Sequence, residues 1–390
     1  MGEDSSQRVF NVRVIDKIAM FFLGVLNNTP YVIGIASAQR IAASYQLDSY
    51  LGIVLWANTI SGIFSRFINN FMVSANVSYL ISFFINIVIM LSGLLICAFS
   101  KVFWFTCIGV FFIGFSSNLG ETIILCFITY KRKQILLKPW GSGTGGAGIV
   151  GASYSLICSA LQISIFWSFI AASPIVVFYG LLFYLIVARS PEENAQSIET
   201  HLLASDSPLI TTQEEEKVSM CDCQYLKGSW FTIMNCGAVY FLEYVIQGAF
   251  ADNCLVKEEK KRYQYMYPLL NLMYQIGVTI SRSSLILFTF TKIWILTLFQ
   301  LGMFILWLFH AFYHFMPIAV MIPLMIVVGL FGGCSYVNAF NIIMNNPALT
   351  TKQKEMVTSW NSFFTSVFIV LSTLFTFIAE RTFLIPPKID

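Results

Sequence analysis

Along this chain, long apolar stretches alternate with short polar connections. The apolar runs fall at about 18–42, 50–72, 78–100, 102–130, 141–165 and 168–189. After a polar stretch they resume at about 230–250, 263–281, 289–312, 317–344 and 357–382. Runs of this length cross hydrocarbon as helices, which rise about 1.5 Å per residue. The pattern therefore predicts an all-α polytopic membrane protein with about eleven transmembrane helices, six before a hydrophilic loop and five after it. The expected organisation is a tail over 1–17, a membrane half over 18–189, a linker over 190–229, a second half over 230–384 and a short tail over 385–390. Six plus five around a linker is the layout of two-halved secondary transporters. A channel or a membrane-bound enzyme could share it.

Composition sharpens the class. Of 390 residues, 57% are hydrophobic and 11% charged, whereas an ordinary soluble globule carries roughly 25% charged residues. A net charge of +3, with basic residues scattered between apolar runs, gives no reason to expect nucleic acid. Six of the nine cysteines (Cys97, Cys107, Cys126, Cys158, Cys236 and Cys334) lie in apolar runs, where a thiol is usually a small core residue. No disulfide framework is expected, and the polar stretch Met1–Lys17 does not read as a cleavable signal peptide.

Lysine and arginine set the expected orientation. With the N-terminus in the cytosol, 15 of the basic residues fall on the cytosolic side and 8 on the other. In that count Arg66 belongs to the second connection. The sequon Asn76-Val77-Ser78 then lies on the cytosolic face, and the C-terminus on the far side. Lys257–Arg262, mixed with Glu258 and Glu259, departs from the bias and reads as a short interfacial helix or a solvated loop.

Ionisable groups inside a bilayer are expensive, so the polar exceptions carry the functional signal. Two carboxylates lie well inside the runs. Glu121 is ten residues, about 15 Å of helix, from Lys131, and Glu243 is nine residues from Asp252. Such a desolvated carboxyl can carry a proton under mildly acidic conditions, or serve as a structural hydrogen-bonding group. Asn27-Asn28-Thr29-Pro30 points to a helix broken at mid-membrane, whose amides re-satisfy the break or meet a polar ligand; a proline kink with no ligand role is the alternative. Gln247, four residues after Glu243, shares its helix face. Tyr336, Asn338 and Asn341 form a polar stripe behind Gly332 and Gly333, and Arg282 at the edge of the eighth run could hold an anion. The richest polar clusters thus fall on runs one, four, seven and ten. No Lys or Arg is expected deep in the cavity they would line.

Other motifs point elsewhere. Gly141–Gly146 fits GxGxxG but opens an apolar run instead of following a strand, so close helix packing is the better reading than a dinucleotide. His310 and His314 have zinc-like spacing without the intervening Glu, and read as interfacial residues or a pH-responsive gate. No nucleophile–base pair, metal constellation or cofactor motif is present, so no enzyme is expected. Gly2 fits a myristoylation pattern, and Cys221 and Cys223 could be palmitoylated. In the linker, Glu199–Leu203 and Asp206–Ile210 look like acidic dileucine sorting signals, with adaptor contacts through Leu202-Leu203 and Leu209-Ile210.

Several stretches together resemble the battenin family. They are Gly24–Asn28 with Tyr31-Val32, Ser116–Glu121, Gly141–Gly151, Tyr240–Glu243 with Gln247-Gly248, Tyr274-Gln275 leading to Ser281–Leu285, and Gly332–Phe340. The resemblance spans nearly the whole membrane portion. It implies a fold related to the major facilitator superfamily, whose spans one, four, seven and ten line a central cavity. It also implies residence in late endosomal or lysosomal membranes and a link to glycerophosphodiester clearance, basic amino-acid balance and lysosomal pH. The chain departs from the family in ending Ile385–Asp390, without the prenylation box of some members. It departs from the superfamily in Gly62–Arg66, which lacks the usual Asp-Arg signature.

The leading expectation is a lysosomal exporter of a small polar solute, a glycerophosphodiester, working by alternating access. Asn27, Asn28, Glu121, Glu243, Gln247, Arg282, Tyr336, Asn338 and Asn341 would contact the solute, with Glu243 and Glu121 handling protons. The alternatives are a scaffold or pH-homeostasis protein acting through the linker, or a transporter of basic amino acids.

Overall fold

The computed structural model describes residues 14–47, 50–131, 134–188, 224–251, 253–256, 259, 262–263, 266–286, 288–382 and 384. The N-terminal tail with Gly2, the sorting motifs, Cys221, Cys223, the tail after Leu384 and most of Lys257–Arg262 lie outside them. Among the described residues all regular structure is helical.

The first half holds α1 (Val14–Ala36), α2 (Ala38–Ser44), α3 (Leu51–Ser74), α4 (Tyr79–Phe99), α5 (Phe103–Tyr130), α6 (Leu137–Ala160), α7 (Ile165–Ala172) and α8 (Pro174–Ala188). After the short α9 (Gln224–Lys227), the second half holds α10 (Trp230–Val245), α11 (Met266–Arg282), α12 (Ile293–Tyr313), α13 (Ile318–Met344) and α14 (Thr351–Thr382). Short turns make successive long helices run alternately up and down. We call the end where α1 begins the near end, and the opposite one the far end. Three far-end turns and one near-end turn close on a left-handed residue: Gln46, Gln162 and His314, and Asn76 respectively.

Seven helical segments are long and apolar enough to cross a membrane by length and composition. The other apolar runs coincide with α3 and α6, which carry many small or polar residues, and with α10 and α11, which have 16 and 17 residues. The outer surface is apolar: Phe71, Phe84, Trp104, Trp167, Phe231 and Phe299 are all exposed. Polar side chains are inside instead, with Asn27, Asn58, Asn70, Asn86, Gln300 and Asn361 fully buried. An apolar exterior with the polar side chains gathered inside, among a buried apolar core, suits a hydrocarbon solvent.

One expectation changes. Helix α1 is continuous through Pro30. The Thr29 hydroxyl donates to the Val25 carbonyl 2.7 Å away, so side-chain bonding supports the turn that the proline weakens. The irregular turn lies in the seventh run, where a π turn over Ile246–Phe250 follows α10. The glycine run of α6 works by close approach: a Cβ on Gly143 would overlap the Phe21 carbonyl oxygen of α1, and one on Gly145 would sit 2.8 Å from Thr279 Cα of α11. Helix α6 thus packs backbone-to-backbone against a helix of each half.

The halves meet along two polar stripes. On α3, Asn58, Ser61, Ser65, Arg66 and Asn69 recur every three to four residues and are buried. On α14, Glu355, Ser359, Ser362 and Ser366 do the same. One helical face on each carries these groups. Asn69 donates to Ser359 Oγ at 2.7 Å, and Thr129 of α5 lies 3.4 Å from Thr358. Ser142 of α6 meets Ser283 at 2.8 Å, and Thr279 of α11 donates to the Gly145 carbonyl at 3.0 Å. Each of these ties lies toward the near end.

Candidate functional site

A cavity of about 120 Å³ lies between the halves. Helix α1 contributes Asn28 and Tyr31, α3 Arg66, α5 Ser117 and Glu121, and α6 Thr144. From the second half come Tyr240, Glu243 and Tyr244 of α10, Tyr274, Gln275 and Arg282 of α11, Tyr336 of α13 and Thr365 of α14. The expected runs one, four, seven and ten are all represented, and four further helices join them.

Two arginines line this cavity, which corrects the expectation that none lies deep. Arg66 does not sit in a connection; it is a buried residue of α3, 5% exposed. Its Nη2 donates to Glu121 Oε2 at 2.6 Å, while Nη1 donates to the Ser362 carbonyl at 2.7 Å and to Ser366 Oγ at 2.8 Å. The other Glu121 oxygen accepts from the Tyr336 hydroxyl. Glu121 therefore has a full set of partners from both halves, and its charge is balanced locally.

Arg282 is held differently. Its Nη1 donates to Thr144 Oγ1 at 2.8 Å and its Nη2 to the Tyr240 hydroxyl at 3.3 Å. The guanidinium also lies 4.5 Å from the Tyr336 ring centroid, a cation–π contact. Its Nε has no partner, and among the described residues no carboxylate is within ion-pairing distance. Glu243 is the complement: 1% exposed, facing the Tyr274 hydroxyl, with Oε2 unpartnered. It occupies space that a side chain at position 332 would take, since a Cβ on Gly332 would overlap its carboxylate. The cavity thus presents one neutralised ion pair together with Arg282 and Glu243, which act on each other electrostatically without forming an ion pair. Five tyrosines surround them.

Of the residues singled out in the sequence, Asn28, Glu121, Glu243, Arg282 and Tyr336 come together here. Asn27, Gln247, Asn338 and Asn341 fall outside the cavity lining, each for a local reason. Asn27 is buried behind Asn28, donating to the Ser117 carbonyl at 2.9 Å and accepting from the Tyr179 hydroxyl at 2.6 Å. Gln247 falls in the π turn, which takes it out of step with Glu243, and donates to Asn271 at 2.7 Å. Asn338 accepts from the Phe290 backbone N–H at 2.7 Å and donates to the Cys334 carbonyl at 2.9 Å, pinning the connection before α12. Asn341 accepts from Asn345 at 3.0 Å in the last turn of α13. Cavity residues that the sequence does not single out as solute contacts include Arg66, Thr144, Tyr240 and Tyr274. The buried stripe of α3, polar every three to four residues, was the signal for Arg66. Among the described residues no three His, Cys, Asp or Glu side chains converge as metal ligands.

Known proteins resemble this chain over its whole membrane portion. The family model for the CLN3 protein matches residues 18–384. Battenin of Dictyostelium discoideum is 30% identical over 96% of each chain. Protein btn-1 of Neurospora crassa is 27% identical over 84% of this chain and 80% of its own. Protein BTN1 of Saccharomyces cerevisiae is 27% identical over 82% and 83%. Among solved structures, the proton:xylose symporter XylE of the major facilitator superfamily, bound to 6-bromo-6-deoxy-D-glucose, superposes with a TM-score of 0.63. That match is 12% identical and covers 95% of this chain and 90% of the symporter, so the two share a fold. The fold is of the major-facilitator type seen in that symporter, and the chain is a multi-pass membrane protein. By its family model and its relatives, the chain belongs to the CLN3, or battenin, family.

Proposed function

We propose that this chain carries a small polar solute, a glycerophosphodiester, out of late endosomes or lysosomes through the central cavity, by rocking of its two halves. The observation behind this reading is the pairing pattern in the cavity. Arg66 and Glu121 cancel, Arg282 has no carboxylate beside it, and Glu243 has a buried oxygen without a partner. A buried carboxyl in that position needs a proton or a cationic ligand. With a proton on Glu243, two arginines face one charged carboxylate, and the surplus of one positive charge matches the single negative charge of a phosphodiester. Arg282 presents several donors in a fixed plane to its oxygens. Asn28, Ser117, Thr144 and the tyrosines offer hydrogen bonds to glycerol hydroxyls.

A proton loaded on Glu243 from an acidic lumen and lost to a neutral cytosol would move with the solute. The halves are tied at the near end, so the cavity in this state would communicate with the far side. With a cytosolic N-terminus, that side is the lumen. Glycan at Asn76, which lies in the near-end turn between α3 and α4, would overturn the orientation.

The test is uptake of labelled glycerophosphocholine and glycerophosphoglycerol by proteoliposomes, with and without an inward proton gradient. Wild-type uptake should rise with the gradient. Glu243→Gln, fixed in the neutral form, should bind solute but lose the response to the gradient. Equal uptake in protein-free vesicles would sink the reading. The unpartnered Glu243 oxygen also favours a second reading, a basic amino acid as cargo, and labelled lysine and arginine in the same assay decide between them. A scaffold acting through the linker and its dileucine motifs is separated from both by deleting residues 195–225, which should leave transport intact.

A further inference from the structure

A second polar cavity, of about 200 Å³, lies at the near end between α3, α4 and α5 of the first half and α14 of the second. Its lining includes Asn69, Ser78, Tyr79, Ser82, Lys352 and Glu355. Glu355 is its centre. This side chain is 1% exposed; Oε2 accepts from the Tyr79 hydroxyl at 2.8 Å, and Oε1 has no partner. Lys352 stands 3.6 Å from Oε2, a loose pair formed one helical turn away by a partly exposed side chain. The carboxylate therefore keeps one buried oxygen without a partner, beside a chamber whose lining is rich in hydroxyls and amides.

The donor set limits what could fill it. The lining offers hard oxygen donors: the hydroxyls of Tyr79, Ser82 and Ser78, the last already accepting from the Ile81 N–H, an Asn69 amide whose nitrogen is spent on Ser359, and one carboxylate oxygen. Calcium and magnesium sites draw on several carboxylates or on bound phosphate. A single carboxylate already shared with a lysine suits a weakly charged ion. An anion would meet the unpaired carboxylate oxygen at close range. We infer that this chamber is a binding site for a monovalent alkali cation, held by Glu355 from α14 and by hydroxyl and amide oxygens from α3 and α4. A cation there would join the halves, because its ligands come from both. It would strengthen the near-end closure that already includes the Tyr79–Glu355 and Asn69–Ser359 bonds. No residue of the central cavity takes part, so this site stands or falls independently of the solute.

The experiment is thermal unfolding of the purified full chain in sodium, potassium or N-methyl-D-glucamine chloride at constant ionic strength. At least one alkali salt should raise Tm by about 2 °C or more over the organic cation, saturably. Glu355→Gln should abolish the rise, and Glu243→Gln should keep it. If Glu355→Gln does not fold, Ser82→Ala and Tyr79→Phe should each raise the half-saturating concentration about threefold or more. Identical Tm values in all three salts overturn the inference, as does a rise that survives Glu355→Gln or is unchanged in both milder variants.

Discussion

Gly332 of α13 lies directly against the carboxylate of Glu243 on α10, leaving no room for even one methyl group between them. The position of this carboxyl is therefore set by the absence of a side chain on the facing helix. Gly332→Ala should push Glu243 out of place and lower stability by about 1–3 kcal/mol, with loss of solute uptake. Glu243→Ala shortens the obstructing group, so the double variant should be less destabilised than the sum of the two singles. Thermal unfolding of the four proteins measures this coupling, and strict additivity would refute the contact.

The Arg66–Glu121 pair should behave as a buried ion pair tied into both halves. Removing one partner, as in Arg66→Ala or Glu121→Ala, strands the other and should cost about 3–5 kcal/mol. Replacing both together, as in Arg66→Met with Glu121→Leu, should recover much of that stability without recovering transport. Parallel melting and uptake assays separate the two effects.

Arg282 is defined by its shape as well as its charge. Arg282→Lys keeps the charge but gives up the planar fork that reaches Thr144 and Tyr240 and lies over Tyr336. Uptake of a phosphodiester should fall by about tenfold or more. Tyr336→Phe keeps the ring beneath Arg282 and removes only the bond to Glu121, so it should be milder than Tyr336→Leu. Equal loss in the two variants would show that the hydroxyl, not the ring, is what the site requires.

The contact between α6 and α1 yields a prediction about folding alone. A methyl at position 143 meets the Phe21 backbone, which cannot swing aside as a side chain can. Gly143→Ala should therefore destabilise by about 1–3 kcal/mol, whereas Gly146→Ala, whose nearest neighbour would be a Val25 methyl 3.8 Å away, should be nearly neutral. The melting temperatures of the two variants check this.

The helices were legible because apolar length is a local property: each run in the sequence corresponds to helix in the structure. Glu121 and Glu243 were legible because a carboxylate deep in such a run needs a reason. Arg66 is not legible in this way, because a basic residue toward the end of an apolar run also reads as part of a connection, and its partner is 55 residues away on another helix. Its pairing depends on how α3 and α5 meet, which no periodicity in either helix reveals. Gln247 shows the opposite case. The i, i+4 relation to Glu243 assumes an α-helix, and the π turn removes it. Asn338 looked like a ligand contact because an amide in an apolar run is conspicuous, yet the backbone N–H of Phe290 uses it.

If the halves rock as proposed, the polar stripes of α3 and α14 have an energetic consequence. Closure at the near end gains the bonds from Arg66 and Asn69, but it also buries Asn70, the Ser362 hydroxyl and Arg66 Nε without partners. Each such group costs about 1–3 kcal/mol while it stays dry. Parting of the stripes would break the bonds and let water reach these same groups. Loss and gain then come from one interface and oppose each other, so a solute or ion binding unequally to the two arrangements could decide which prevails.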